Sequence, residues 1–388
     1  MTEQPELVSA TRIDDGLAIE LVWKGGLRSR FHAIWLRDNA LDEKTRSGSN
    51  GQRKITLANI PLDTSIDTVQ ILGEQVSVRF LPEDHTVCFP QIWLWSHQYD
   101  RHKPEITGRM PAEAQHWRSD FSLGDITAGY CDCRDNVTKL MQWLSHVRHF
   151  GIALLQGGPV QPAALLSVVE WFGFVRYTNY GELFDVRTTI DPDNLAYTNL
   201  GLQPHTDNPY RDPVPTLQLL YCLENSAYGG ASLVVDGFQA AQKLRDEDPE
   251  GFACLTRYCA RFEYHGTGGV QLYSRKPIIE LTPDGELQTI RFNNRSAGPI
   301  IDVPYKQMAL YYDAYRRFAS IIDDPAMQLT FKLEPGECFI VDNTRMLHGR
   351  TGYEASNGSR WLQGCYADMD GLLSTLAVLK KNAAGIAI

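Results

Sequence analysis

Apolar and polar residues alternate at short range through the first hundred positions. LAIELVW (17–23), the stretch around Phe31 to Trp35, KITLAN (54–59) and VSVRFL (76–81) have the two-residue period and β-branched content of antiparallel strands. A polar stretch, LDEKTRSGSNG (41–51), interrupts them. Residues 101–125 are polar and carry Pro104, Gly108 and Pro111, the composition of a linker between two lobes. Then the period changes. Val137, Leu140, Met141, Leu144 and Val147 recur at helical spacing and predict a helix over 134–149. GIALLQG (151–157) reads as a buried strand, and PAALLSVVEWFG (162–173) as a helix ending at Gly173. From 195 onward strand signals dominate: TLQLLYCLE, ASLVVDGF, LQTIRFNN, ECFIVDN and WLQGCYADM, with one helical interruption over 304–322. A run of strands with one inserted helix predicts a mainly β fold with flanking helices, an antiparallel barrel or double-sheet jelly roll.

Composition narrows the function classes. Hydrophobic residues make up 43% of the 388, enough for a sizeable core. A net charge of -10 and a pI near 5.5 offer no basic stripe to displace counterions. No nucleic-acid or anionic membrane partner is therefore expected. The polar, acidic start MTEQPELVSATRIDDG does not resemble a signal peptide, and no apolar run reaches membrane-spanning length. The eight cysteines are scattered without a CxxC pair and read as reduced thiols. A cytoplasmic protein is expected.

The candidate chemistry lies at His205-Thr206-Asp207 and His348-Gly349-Arg350. Two histidines and a carboxylate are the protein ligands of a non-haem iron(II) facial triad, which leaves three coordination positions open. In a strand, residues i and i+2 share a face, so His205 and Asp207 are expected to grip one ion from one segment. The motif alone is weak. With 10 histidines and 47 acidic residues in 388, about one His-x-Asp/Glu arises by chance, and a solvated His-Asp pair is the plain alternative. Arg360 changes the weighting. It follows His348 across a turn-like stretch, and a guanidinium there can grip a carboxylate bidentately. Iron triad plus downstream arginine is the pattern of 2-oxoglutarate-dependent oxygenases, in which the arginine holds the far carboxylate of the cosubstrate. Tyr177, Tyr180 and Phe184 precede the triad, Tyr197 lies just before it, and Tyr366 follows Arg360. Ring faces attract quaternary ammonium groups, although most of the 17 tyrosines are expected to pack or face solvent.

These elements together resemble the γ-butyrobetaine and trimethyllysine hydroxylase branch of that family. The matching stretches are WLRDN (35–39), NYG (179–181), NLAYT (194–198), HTD (205–207), VDGF (235–238), RFNN (291–294), the DN and LHGR elements of VDNTRMLHGR (341–350), YEA (353–355) and YADMD (366–370). The resemblance implies an N-terminal β-rich domain over 1–105, a double-stranded β-helix oxygenase domain over 106–388, and a homodimer. It implies iron(II), 2-oxoglutarate and O2, with ascorbate as reductant. It also implies a substrate cage of Tyr180, Phe184, Tyr197 and Tyr366, with Asn194 and Asn294 on the substrate's anionic end.

The sequence departs from the branch at two places. Relatives often carry a cysteine-rich zinc site after WLRDN; here only His85 stands at a matching position, so no zinc site is expected. Arg295 stands beside Asn294 where a small residue is usual. If it faces inward, its planar fork suits a tetrahedral dianion; adjacent strand residues face opposite sides, so a surface position is the alternative. This arginine favours 2-trimethylaminoethylphosphonate, hydroxylated next to phosphorus, over the carboxylate γ-butyrobetaine, which would give carnitine. A non-catalytic betaine-binding protein and a zinc hydrolase are further readings. Neither gives Arg360 a task.

Overall fold

The computed structural model describes residues 5–100, 107–187, 199–266, 269–354 and 358–383. The chain divides into two compact units, Met1–Pro104 and Glu105–Ile388.

The first unit holds two three-stranded antiparallel sheets, Leu7–Ile13/Ala18–Trp23/Arg28–His32 and Ser65–Leu72/Gln75–Leu81/His85–Pro90. Their alternating apolar faces bury Ile19, Leu21, Trp23, Phe31, Ile66, Val76, Val78, Phe80 and Phe89 in one core. The alternation is legible for LAIELVW and VSVRFL. The strand expected around Phe31 to Trp35 instead turns into the helix Ala33–Asp38, and KITLAN forms a 3-10 turn over Leu57–Asn59. His85 Nε2 lies 2.8 Å from Asp42 Oδ2. The buried Arg37 donates to Glu83 through Nε at 2.6 Å and Nη2 at 2.8 Å.

The second unit is a double-stranded β-helix. A four-stranded sheet runs in the order Leu202–His205, Met346–Arg350, Ser232–Asp236, Gln328–Phe331. A six-stranded sheet runs Thr127–Gly129, Ile152–Gln156, Cys338–Asp342, Leu217–Asn225, Arg360–Ala367, Phe184–Val186. Strand Leu217–Asn225 shows why its sequence reads as continuously apolar. Leu217, Leu219, Tyr221 and Leu223 pack outward with Trp143, Val147, Val168 and Leu372, carried by helices Val137–Phe150, Ala164–Glu170 and Met369–Ala383. Leu220 and Cys222 point inward to meet Val234, Leu329 and Met346 of the facing sheet. A strand covered on both faces loses its polar alternation.

Several helices differ from expectation. The helix expected over 134–149 is two, Tyr130–Asp135 and Val137–Phe150, because extended Asn136 breaks the run. The Asn136 carboxamide caps the second helix, accepting from Thr138 N at 2.9 Å. ASLVVDGF stops being strand at Asp236, whose carboxylate accepts from Phe238 N at 3.0 Å and starts the helix Gly237–Glu247. The single inserted helix is therefore accompanied by Gly237–Glu247 and Pro249–Arg257, which pack with Met308–Asp323 around Leu244, Phe252 and Phe318. Of the linker expected over 101–125, residues 101–106 lie outside the described residues, and 107–125 are fastened to the second unit. Gly108 N donates to Gly285 O at 2.6 Å, and Trp117 is buried in the second unit's core. No helix among the described residues is long and apolar enough to cross a membrane.

Candidate active site

The site begins with strand pairing. Leu202–His205 lies antiparallel to Met346–Arg350, with His205 directly across from His348. Gly349 allows the approach, since a Cβ there would meet the Leu202 carbonyl and stand 2.9 Å from Pro204 N. Asp207 is not on the strand, contrary to the i, i+2 expectation. Leu202–His205 ends at the first histidine, and Thr206 N donates to Phe292 O at 2.8 Å. Asp207 N donates to Asn343 Oδ1 at 2.7 Å, and Asn343 Nδ2 donates back to Asp207 O at 3.0 Å and to Pro215 O at 2.8 Å. A clamp from the loop after Cys338–Asp342, rather than strand alternation, aims the carboxylate.

The three groups converge. His205 Nε2 is 3.3 Å from Asp207 Oδ1, and His348 Nε2 is 3.8 Å from Asp207 Oδ2. One ligand atom from each lies within 4.8 Å of the others. His205 Nδ1 lies 2.8 Å from Gln203 O, so a proton on Nδ1 leaves Nε2 as a lone pair facing the centre. Burial pushes both histidines below the usual range, His348 to about 3, so they stay neutral. Burial opposes charge on Asp207, but the polar and cationic groups around it, Arg295 among them, outweigh it and hold the carboxyl low. Two neutral imidazoles and one carboxylate, all inward, suit a divalent cation.

Around them is a cavity of about 530 Å³. Arg360, the first residue of its strand, reaches it with only 6% exposure. Among the described residues its Nε and Nη1 have no hydrogen-bond partner, and burial pushes its pKa down. A buried guanidinium with unanswered donors suits an incoming carboxylate. Arg350 lines the same cavity, its pKa pushed to about 10 by burial and then by Arg360. Its place on the His348 face, two residues on, is the signal for it in the sequence.

Rings form another wall. Phe184 lies 5.1 Å from Tyr366 and 6.2 Å from Tyr180 between centroids. Tyr180 meets Tyr264 at 6.0 Å, and Tyr264 meets Tyr210 at 4.9 Å. Tyr210 and Tyr264 were missed, since nothing marks them among so many tyrosines. Tyr177 is 78% exposed and does not line the cavity. Gln218 was also missed, although one amide in a run of apolar residues signals a buried partner. Its Nε2 donates to Asp207 Oδ2 at 2.7 Å, and Tyr366 donates to the same oxygen at 2.8 Å.

The anion-binding candidates divide. Asn194 and Tyr197 lie outside the described residues. Asn294 is exposed and not among the cavity-lining residues; Gln203 accepts from its amide, and Tyr315 donates to its carbonyl oxygen at 3.0 Å. Asn293 lines the cavity instead. Arg295 faces in, with Nη2 2.7 Å from His205 Nε2. Residues 294 and 295 lie in a turn, so strand alternation does not dictate their sides.

Residues 114–366 match the family model described as taurine catabolism dioxygenase TauD, TfdA family. The chain belongs to the TauD/TfdA dioxygenase family. This dioxygenase is 34% identical to a Gamma-butyrobetaine dioxygenase of Pseudomonas sp. (strain AK-1), over 97% of this chain and 96% of that one. It is 31% identical to the human Gamma-butyrobetaine dioxygenase, over 96% and 97% respectively. It is 29% identical to the Trimethyllysine dioxygenase of Meyerozyma guilliermondii, over 94% of each. The dioxygenase uses iron(II), 2-oxoglutarate and O2. The inward donor set of His205, Asp207 and His348 and the unanswered Arg360 donors fit the metal and the dicarboxylate.

Proposed function

We propose that this dioxygenase hydroxylates an unactivated C–H bond of a small trimethylammonium zwitterion, and that the substrate is γ-butyrobetaine, giving carnitine. The observation that carries the reading is the ring wall of Tyr180, Phe184 and Tyr366 beside the His205–Asp207–His348 cluster in one cavity. A trimethylammonium group offers no N–H, so ring faces and dispersion do the recognising. The names of the relatives similar over nearly the whole chain favour the carboxylate substrate over the phosphonate favoured by sequence reasoning.

In this reading His205, Asp207 and His348 hold iron(II), and Arg360 takes the distal carboxylate of 2-oxoglutarate. The bound metal and cosubstrate supply the oxidising chemistry with O2. The chain's own residues supply position. The rings fix the ammonium, and Arg295 and Asn293, which also line the cavity, offer polar groups to the anion, so one C–H bond is presented to the metal. Apolar walls such as Leu220, Phe339 and Leu362 keep bulk water away. The homodimer implied by the resemblance is part of the proposal, and light scattering on the purified protein tests it.

A second reading rests on Arg295. Its guanidinium reaches the cavity, and a phosphonate dianion would use it more fully than a carboxylate does. That reading is 2-trimethylaminoethylphosphonate hydroxylation. Purified protein with iron(II), ascorbate and 2-oxoglutarate, given each zwitterion in turn, tests both. Substrate-dependent succinate with γ-butyrobetaine supports the first reading, release only with the phosphonate supports the second, and none with either rejects both. Arg295→Ala is expected to lower kcat/KM modestly for a carboxylate and much more for a phosphonate.

A further inference from the structure

Tyr366 belongs to two arrangements at once. Its ring packs beside Phe184, 5.1 Å between centroids, and its hydroxyl donates to Asp207 Oδ2 at 2.8 Å. Directly across the sheet its register partner is Gln218, whose Nε2 donates to the same oxygen at 2.7 Å. Both side chains are deeply buried, at 4% and 2% exposure. Among the described residues Oδ1 has no comparable donor; its near neighbour is His205 Nε2 at 3.3 Å. The carboxylate is thus divided between one oxygen held by two neutral donors and one left for coordination.

We infer that Gln218 and Tyr366 are positioning residues that hold Asp207 Oδ2 and present Oδ1 as a single-oxygen metal ligand. Tyr366 thereby links the wall of the substrate cavity to the metal's carboxylate. The inference rests on the proposed reading of His205, Asp207 and His348 as the iron site. The physical need is geometric. A carboxylate free to rotate can close on a cation with both oxygens, and would then occupy a position required by the cosubstrate or by O2. Two converging hydrogen bonds to Oδ2 oppose that rotation. They come from adjacent strands in fixed register, so the orientation is built into the sheet. Removing an outer partner of this kind weakens metal binding by about tenfold to a hundredfold.

Tyr366→Phe keeps the ring and removes only the hydroxyl. Gln218→Met keeps the length and removes the donor. Mn(II) serves as the probe, with free Mn(II) read by electron paramagnetic resonance and folding checked by thermal melting. Each variant is expected to raise the Mn(II) dissociation constant about tenfold or more without turnover. Phe184→Leu, which changes the same wall but no bond to Asp207, is expected to stay within twofold of wild type. Mn(II) affinity within twofold of wild type in both donor variants overturns the inference. A loss confined to Gln218→Met overturns it as well, because Tyr366 would then be a wall only. An equal loss in Phe184→Leu overturns it by making cavity disruption the cause. Failure of the wild type to bind Mn(II) removes the metal-site reading itself, a separate result from unchanged variants.

Discussion

At the residue scale, the site works through a few groups whose burial forces them to find partners. Arg360 is the clearest case. A guanidinium at 6% exposure with Nε and Nη1 unanswered among the described residues is costly, and in the proposed reading the dicarboxylate cosubstrate would supply the missing acceptors. Lysine keeps the charge and loses the planar fork. Arg360→Lys is therefore expected to raise the KM for 2-oxoglutarate about tenfold or more, the scale of one charged hydrogen bond of ~1.5–3 kcal/mol. Initial rates at varied 2-oxoglutarate check this, and an unchanged KM would remove Arg360 from cosubstrate binding. Residue type and order single out His205, Asp207, His348 and Arg360 in the sequence, and all four line one cavity in the structure. Gln218, Tyr210 and Tyr264 were not legible there, because their roles depend on which strands become neighbours. Asn294 shows the converse: its residue type suited an anion, but the turn aims it at Gln203 and Tyr315.

At the element scale, the cavity depends on where strands lack side chains. Gly364 is the register partner of Phe184, and a Cβ there would fall on the Phe184 ring and come 2.9 Å from Leu220 Cδ2. Gly364→Ala is expected to displace that ring, raising the KM for the trimethylammonium substrate several-fold while leaving Mn(II) affinity near wild type. Steady-state kinetics and metal titration check the two halves; a metal-binding loss with an unchanged KM would contradict the assignment of Phe184. Strands buried on both faces were easy to place from their apolar runs, as Leu217–Asn225 shows. Helix starts were harder. Asp236 and Asn136 are caps, and a cap acts through one hydrogen bond that apolar periodicity does not register. The HTD motif misled for a related reason, since Asp207 is placed by Asn343, far away in sequence.

At the scale of the whole molecule, the second unit is tied together by charge as well as by its cores. Arg345, 2% exposed, donates to both oxygens of Asp236, at 3.0 and 2.7 Å, and to the carbonyls of His149 and Gln115. One side chain thus joins the segment after the unit boundary, a helix end and the small sheet. Asp236→Ala would leave that guanidinium buried without its counter-charge and remove a helix cap. It is expected to lower stability by ~3–5 kcal/mol, read as a shift in the urea midpoint. A loss under 1 kcal/mol would show the pair to be incidental. The β-rich first region and jelly-roll second region were legible from periodicity and turn residues. The fastening of residues 107–125 to the second unit was not, because the segment's polarity reads as linker while Trp117 and Gly108 make the contacts.

In the proposed function, this chain delivers dioxygen chemistry to a trimethylammonium zwitterion through the His205–Asp207–His348 centre. The most direct measurement is turnover under 18O2 with iron(II), 2-oxoglutarate and γ-butyrobetaine, with both products analysed by mass spectrometry. One labelled oxygen is expected in the hydroxylated zwitterion and one in succinate, and neither product from Asp207→Ala. Succinate formed at the same rate without the zwitterion, or a hydroxylated product whose oxygen comes from water, would contradict that function.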